Sequence, residues 1–233
     1  MKGKTVVIIP ARGGSKGIPQ KNIIDFCGKP LLAWSILQAK ASPSVDEVFV
    51  TTDDPHIATV AREYKADVIN RPAEISGDTA TSESALLHAL DGIERAGTKV
   101  EIIVFLQATS PLRESSDIEK AILAFKKEKA DSLFSAAEIN DLAIWKRIDG
   151  RLLHSNPDFK NRKRRQDCAE QYAENGSIYI FTPDVLRTQN NRFGGTIAIS
   201  CMDTWKMFEI DTAEDLAFCR SLFSLQGLDK KQL

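Results

Sequence analysis

The chain has 233 residues, 42% of them apolar and 27% charged, which supplies a sizeable core and does not point to disorder. Its 31 Lys and Arg against 32 Asp and Glu leave a formal net charge of −1, so no global field draws it to nucleic acid or membrane and any anion binding is local. The four cysteines, Cys27, Cys168, Cys201 and Cys219, form no C-x-x-C pair, so zinc and thioredoxin-like sites lack their spacing and reduced, structural thiols are expected.

In chain order, residues 6–9 are a continuous apolar run, the pattern of a strand covered on both faces. The run is too short for a signal core or a spanning helix, and a cytoplasmic location is expected. It opens into Pro10-Ala11-Arg12-Gly13-Gly14-Ser15-Lys16-Gly17-Ile18-Pro19-Gln20-Lys21-Asn22, where glycines and cations can bring amides and positive charge to a polyphosphate. Pro30 stands where a helix should begin, with Leu32, Ile36 and Ala39 at helical spacing. Residues 45–52 read as a second strand, 57–65 as a helix capped by Asp54, and 66–70 as a third strand. After the polar stretch 71–81, a helix is expected over 82–95, ending near Gly97, then a buried strand over 101–106 and a helix over 117–128.

Strands alternating with helices predict an α/β fold with an open, mainly parallel sheet. The alternation breaks at 140–173, where 144–148, Asp149-Gly150 and 151–154 read as a hairpin followed by the basic run 160–165. Further strands are expected over 176–181, 196–200 and 206–210, then a helix over 212–225 and a frayed tail over 227–233.

Ligands of such sheets bind outside the carboxyl ends of the strands. The polar clusters fall there: 12–22, Asp53, Arg71, 107–113, and Glu209 with Asp211. On a strand the last two point to one face, an arrangement that suits a metal shared with phosphate oxygens.

The loop matches neither the Walker nor the dinucleotide fingerprint. Residues 11–22 instead resemble the signature of the acylneuraminate (sialic acid) cytidylyltransferases. Thr51-Thr52-Asp53, Asn70-Arg71-Pro72, Leu106-Gln107-Ala108-Thr109-Ser110-Pro111-Leu112-Arg113, Arg165-Gln166-Asp167, Glu174-Asn175-Gly176-Ser177-Ile178-Tyr179 and Ile210-Asp211-Thr212-Ala213-Glu214-Asp215 resemble further blocks of that family, in order, over nearly the whole chain. Ala108 and Cys168-Ala169-Glu170 depart from the usual family residues.

The resemblance implies a Rossmann-like three-layer fold, one nucleotidyltransferase domain over 1–233, and a small protruding dimerisation hairpin or arm inserted at 140–173. It implies transfer of CMP from CTP to the anomeric hydroxyl of an acidic nine-carbon 2-keto-3-deoxy sugar, release of pyrophosphate, Mg2+ as cofactor, and a homodimer. By the same resemblance Arg12, Lys21 and Asp211 are the catalytic set, and Gly13, Ser15, Lys16, Asn22, Arg71 and Ser82 bind the nucleotide with Arg12 and Lys21. Ser82 is equally readable as a helix cap. Gln107, Asn175 and Tyr179 contact the sugar, joined by Arg165 from a partner subunit, and Asp211 and Glu209 hold the metal. Asp215, one turn into the last helix, reads as structural. No histidine lies in these blocks, so the nucleophile's proton is expected to leave to water or metal-bound hydroxide. A related acid sugar (legionaminic, pseudaminic, ketodeoxynonulosonic or deoxyoctulosonic), another nucleotide, or a silent nucleotide-binding module are the alternatives.

Overall fold

The first strand, β1 (Lys4–Pro10), has no polar side chain from Val6 to Ile9, and all four are fully buried. Burial of each such side chain contributes about 1.5–3 kcal/mol, which holds the strand inside the molecule rather than at an edge. The computed structural model, which describes residues 3–139, 144–154 and 169–231, places it accordingly. β1 pairs on one side with β4 (Glu47–Thr52) and on the other with β6 (Val100–Leu106), both parallel.

Outward from β4 lies β5 (Asp67–Asn70), parallel; outward from β6 lie β10 (Tyr172–Phe181), β7 (Ser132–Glu138) and β11 (Ile197–Met202). β10 is antiparallel to both neighbours, while β11 is parallel to β7, so the seven-stranded sheet is mainly parallel with one reversed strand. Two consequences correct the sequence reading. Residues 132–138 form a strand that the apolar pattern did not announce, because Ser132 and Ser135 interrupt it. Residues 206–210 form no strand: Thr204–Met207 is one turn of 3-10 helix and the segment after it is unpaired by ladder bonds.

Alternation along β1 divides the core in two. Val7 and Ile9 join Leu32 and Ile36 of α1 (Leu31–Lys40), Ile57 of α2 (Pro55–Glu63) and Ile118 and Ile122 of α4 (Ser115–Glu128) on one face. Val6 and Ile8 join Leu86, Leu90 and Ile93 of α3 (Ser82–Arg95) and Leu186 of α5 (Pro183–Gln189) on the other. The three layers that the resemblance implies are therefore present. A third cluster unites Ile18, Phe26 and Trp34 with Leu112, Ile210 and Phe223, the last from α6 (Ala213–Leu225). Phe223 meets Phe26 and Trp34 edge to face, with centroids 5.1 and 4.6 Å away. This cluster draws the glycine loop and the segment around Ile210 to the same end of the sheet.

Local chemistry sets the ends. Asp54 caps α2 through the amides of His56 and Ile57, as expected. Thr81, not Ser82, caps α3, so Ser82 is the first helical residue and the cap reading of it falls. Asp215 and Thr212 form a reciprocal capping box at α6, which gives Asp215 its structural role. The tail turns into α7 (Leu228–Lys231) with Leu228 fully buried, so its start is packed rather than frayed. β2 (Asp25–Phe26) and β3 (Lys29–Pro30) make a minor hairpin, and β8 (Trp145–Ile148) and β9 (Arg151–His154) make the expected one, with Asp149 and Gly150 both at positive φ. Arg165 and Cys168, with the whole of the basic run 160–165, lie outside the described residues.

Candidate active site

Because β10 runs against its neighbours, its amino-terminal part reaches the edge where β1, β4, β5 and β6 end. Two cavities open along that edge and share Gln107. The first, of about 300 Å³, is lined by Arg12, Ser15, Lys21, Asn22, Arg71, Asp78, Thr81, Ser82 and Phe105, among others. The second, of about 460 Å³ and more open, is lined by Glu174, Asn175, Gly176, Tyr179, Met207, Phe208, Glu209, Asp211 and Asp215 besides Gln107.

The first cavity is cationic. Asn22 is buried and donates from its amide to the Arg12 carbonyl (2.9 Å), closing the loop on itself. Arg12 Nη1 lies 3.0 Å from Asp78 Oδ1, and Lys16 Nζ lies 2.8 Å from the other oxygen of the same carboxylate. The Lys16 hydrogen bond is the main cause holding the Asp78 carboxyl below the usual range. Asp78, which sequence reasoning missed in an irregular stretch, thus occupies two of the loop's cations. Gly13 lies outside the lining residues, its amide donating to Asp53 (3.2 Å).

Arg71 carries buried donors aimed into the first cavity. Its side chain is 6% exposed, its nearest acid is Asp53 at 3.7 Å, and its Nε and one Nη have no hydrogen-bond partner. Burial lowers its pKa, only partly opposed by Asp53, and Arg12 adds to the strain. An anion or carbonyl entering the cavity would satisfy those donors.

The second cavity is acidic. Lys21, nearly buried, pairs with Asp211 at 2.7 Å and so ties the two cavities together. Ile210 is fully buried and its amide donates to the Thr109 carbonyl (2.9 Å), while its sequence neighbours Glu209 and Asp211 both line the second cavity. The two carboxylates inferred to share a face therefore do line one cavity, on an anchored segment without ladder bonds rather than on a strand. Burial raises the Glu209 pKa, and the neighbouring charge of Asp211 raises it further. Gln107 Nε2 lies 3.4 Å from Glu209 Oε1.

Two glycines enforce this closeness. At Gly176, with φ of +69°, a Cβ would collide with the Glu209 carboxylate and the Gln107 amide; at Gly17 it would strike the backbone carbonyl of Asp211. Gly176 sits in a bulge where the β10–β7 register shifts. Asn175 holds that bulge from inside: its Oδ1 accepts from Ser135 Oγ (2.6 Å) and from the Ser177 amide (3.2 Å), and its Nδ2 lies 3.4 Å from Met202 Sδ. Tyr179 donates from its hydroxyl to Glu174, and burial with that bond raises its pKa.

Beneath the junction lies Arg113, completely buried, donating to the Ser177 carbonyl (2.9 Å), the Gln107 carbonyl (2.9 Å) and Ser35 Oγ. Burial pushes its pKa down to about 9, while Glu209 and Asp117 favour its charge. The sequence displayed Arg113 inside a motif without revealing that it fastens three segments.

A sheet edge that sets a cationic glycine loop against a pair of carboxylates defines a nucleotidyltransferase of Rossmann-like fold. The cytidylyltransferase family profile matches residues 6–233, and the chain belongs to that family. It is 31% identical over 226 residues to pseudaminic acid cytidylyltransferase of Campylobacter jejuni strain 81-176, covering 95% of this chain and 97% of the relative. It is 36% identical over 239 residues to N-acylneuraminate cytidylyltransferase of Oncorhynchus mykiss, covering all of this chain but 54% of that protein. The solved structure of CMP:2-keto-3-deoxy-manno-octonic acid synthetase complexed with CTP matches with a TM-score of 0.71 at 19% identity, over 96% of this chain and 100% of that one, a likeness of fold. Among the described residues no helix is long and apolar enough to cross a membrane.

Proposed function

We propose that this enzyme joins CMP from CTP to the anomeric hydroxyl of a nine-carbon 2-keto-3-deoxy acid sugar of the sialic or pseudaminic type. The observation that carries the reading is the pair of cavities meeting at Gln107, one walled by cations and one by carboxylates. The sugar oxygen forms a bond to the α-phosphorus, the bond from that phosphorus to the β-phosphate oxygen breaks, and the hydroxyl proton passes to solvent through the open second cavity.

Charge gathers on the phosphate oxygens as pyrophosphate leaves, so fixed cations do most of the stabilising. Arg12 and Lys21 are assigned to the triphosphate, with Ser15 and Asn22 beside them; Lys16, outside the lining residues, meets the cavity through Asp78. Arg71 and Ser82 are assigned to the nucleoside end. Gln107 and Tyr179 are assigned to the sugar, and Asn175 acts on it by holding the bulge.

Glu209 and Asp211 fit a hard divalent cation. Two neighbouring carboxylates, one of them unfavourably buried, are relieved by such an ion. Two protein carboxylates suit magnesium, an ion that keeps water and phosphate oxygens as its other ligands. When bound, it would neutralise developing charge on the phosphates.

Pyrophosphate release measured with each of four nucleoside triphosphates, magnesium and a panel of acid sugars tests the proposal. Release with CTP and a nonulosonic acid is expected; no release with any pair sinks it. We also propose a homodimer whose arm over 140–173 contributes Arg165 to the neighbour's sugar. Support comes from the exposed apolar side chains of the hairpin, Ile148, Leu152 and Leu153, which a partner would cover. Sedimentation showing only monomer would defeat the shared site. The same reading puts the enzyme in the cytoplasm, which cell fractionation checks.

A further inference from the structure

Arg192 belongs to none of the sequence motifs and lines neither cavity, yet it touches the walls of both. Its guanidinium carbon lies 4.6 Å from the centre of the Tyr179 ring and 4.9 Å from that of Phe105. The two rings stack on each other at 5.3 Å, Phe105 facing the first cavity and Tyr179 the second. The guanidinium plane also grips one carboxylate oxygen of Glu83 from two nitrogens, Nε at 2.9 Å and Nη2 at 2.8 Å. Both side chains are less than a fifth exposed.

Glu83 directly follows Ser82 in the first turn of α3, whose cap Thr81 and first residue Ser82 line the first cavity. A displacement of Glu83 therefore displaces residues facing the nucleotide. Tyr179 also meets Phe193, the residue after Arg192, edge to face with centroids 5.9 Å apart. A planar cation lying on aromatic rings and paired with a carboxylate fixes ring and helix turn relative to each other, which a flexible ammonium does less well.

We infer that Arg192 and Glu83 are positioning residues that couple the cavities, so that the acid sugar, by settling against Tyr179, tightens nucleotide binding through the first turn of α3. The inference rests on the two-cavity reading of function and adds to it a communication path. Linkage requires the effect to be reciprocal: whatever factor the sugar confers on the nucleotide, the nucleotide confers on the sugar.

Calorimetric titration of the full chain with α,β-methylene-CTP, with and without N-acetylneuraminic or pseudaminic acid, whichever supports turnover, tests it. In the parent protein the sugar should tighten the analogue about fivefold or more. Arg192→Met and Glu83→Gln should bring that factor close to one, while affinity for the analogue alone stays within about twofold. Arg192→Lys, which keeps the charge but not the plane, should retain part of it. Retention of the full factor in both Arg192→Met and Glu83→Gln, with only the melting temperature lowered, overturns the coupling. So does a parent protein that turns over CTP and sugar yet shows no tightening. Turnover by the parent in the same preparation keeps the assignment of function separate from either result.

Discussion

The first cavity takes most of its walls from the ends of strands that are neighbours both in the sheet and in the first half of the chain, and it is rich in cations. The second is assembled from a bulge in the reversed strand β10, a single 3-10 turn and the irregular segment that follows it, and it is rich in carboxylates. Parallel strand ends deliver loops to a common edge by topology alone, so charge is all the sequence must add. Where the sheet reverses, each carboxylate and amide has to be placed by a separate device: Gly176, Asn175, Arg113 or the anchored Ile210.

Lys21 belongs to both regions, and its removal breaks the comparison most severely. Lys21→Ala should lower turnover by about 100-fold or more with the fold intact, judged by pyrophosphate release and circular dichroism. Near-normal turnover would remove it from its role. Gly176→Ala sharpens the contrast, since it strains the backbone at positive φ and pushes into Glu209 and Gln107. Turnover should fall about tenfold or more while affinity for a CTP analogue, measured by titration, changes little. A loss of nucleotide affinity equal to the loss of turnover would show that the cavities are not separately built.

The smallest effect runs the other way. Asp78 is half exposed and competes with the triphosphate for Arg12 and Lys16, so Asp78→Asn should lower the KM for CTP about two- to fivefold. A raised KM would mean that Asp78 holds the loop in its working shape instead.

The difference between the cavities also explains what could be read in advance. Residues 6–9 and 102–106 are apolar without interruption, and the glycine loop follows the first of them directly, so the cationic half of the candidate site was legible. Ser132 and Ser135 hid β7 because their hydroxyls bond inside the protein, to the Gly194 carbonyl and the Asn175 amide oxygen, where a sequence pattern registers only polarity. The reversal of β10 was invisible because a strand buried on both faces looks the same in either direction. Glu209 and Asp211 were found on the mistaken premise of a ladder; both line the second cavity all the same, on either side of buried Ile210 in the sequence. Arg192 and Glu83 gave no signal, since an ion pair between a loop and a helix follows no period.

Gly17 lies against the backbone carbonyl of Asp211, so the loop near the start of the chain is finished only by a segment near its end. During synthesis the cation-bearing loop emerges well before the segment around Asp211 and waits for it. A chain cut short before that segment can complete much of the sheet and still lack the partner that closes the loop.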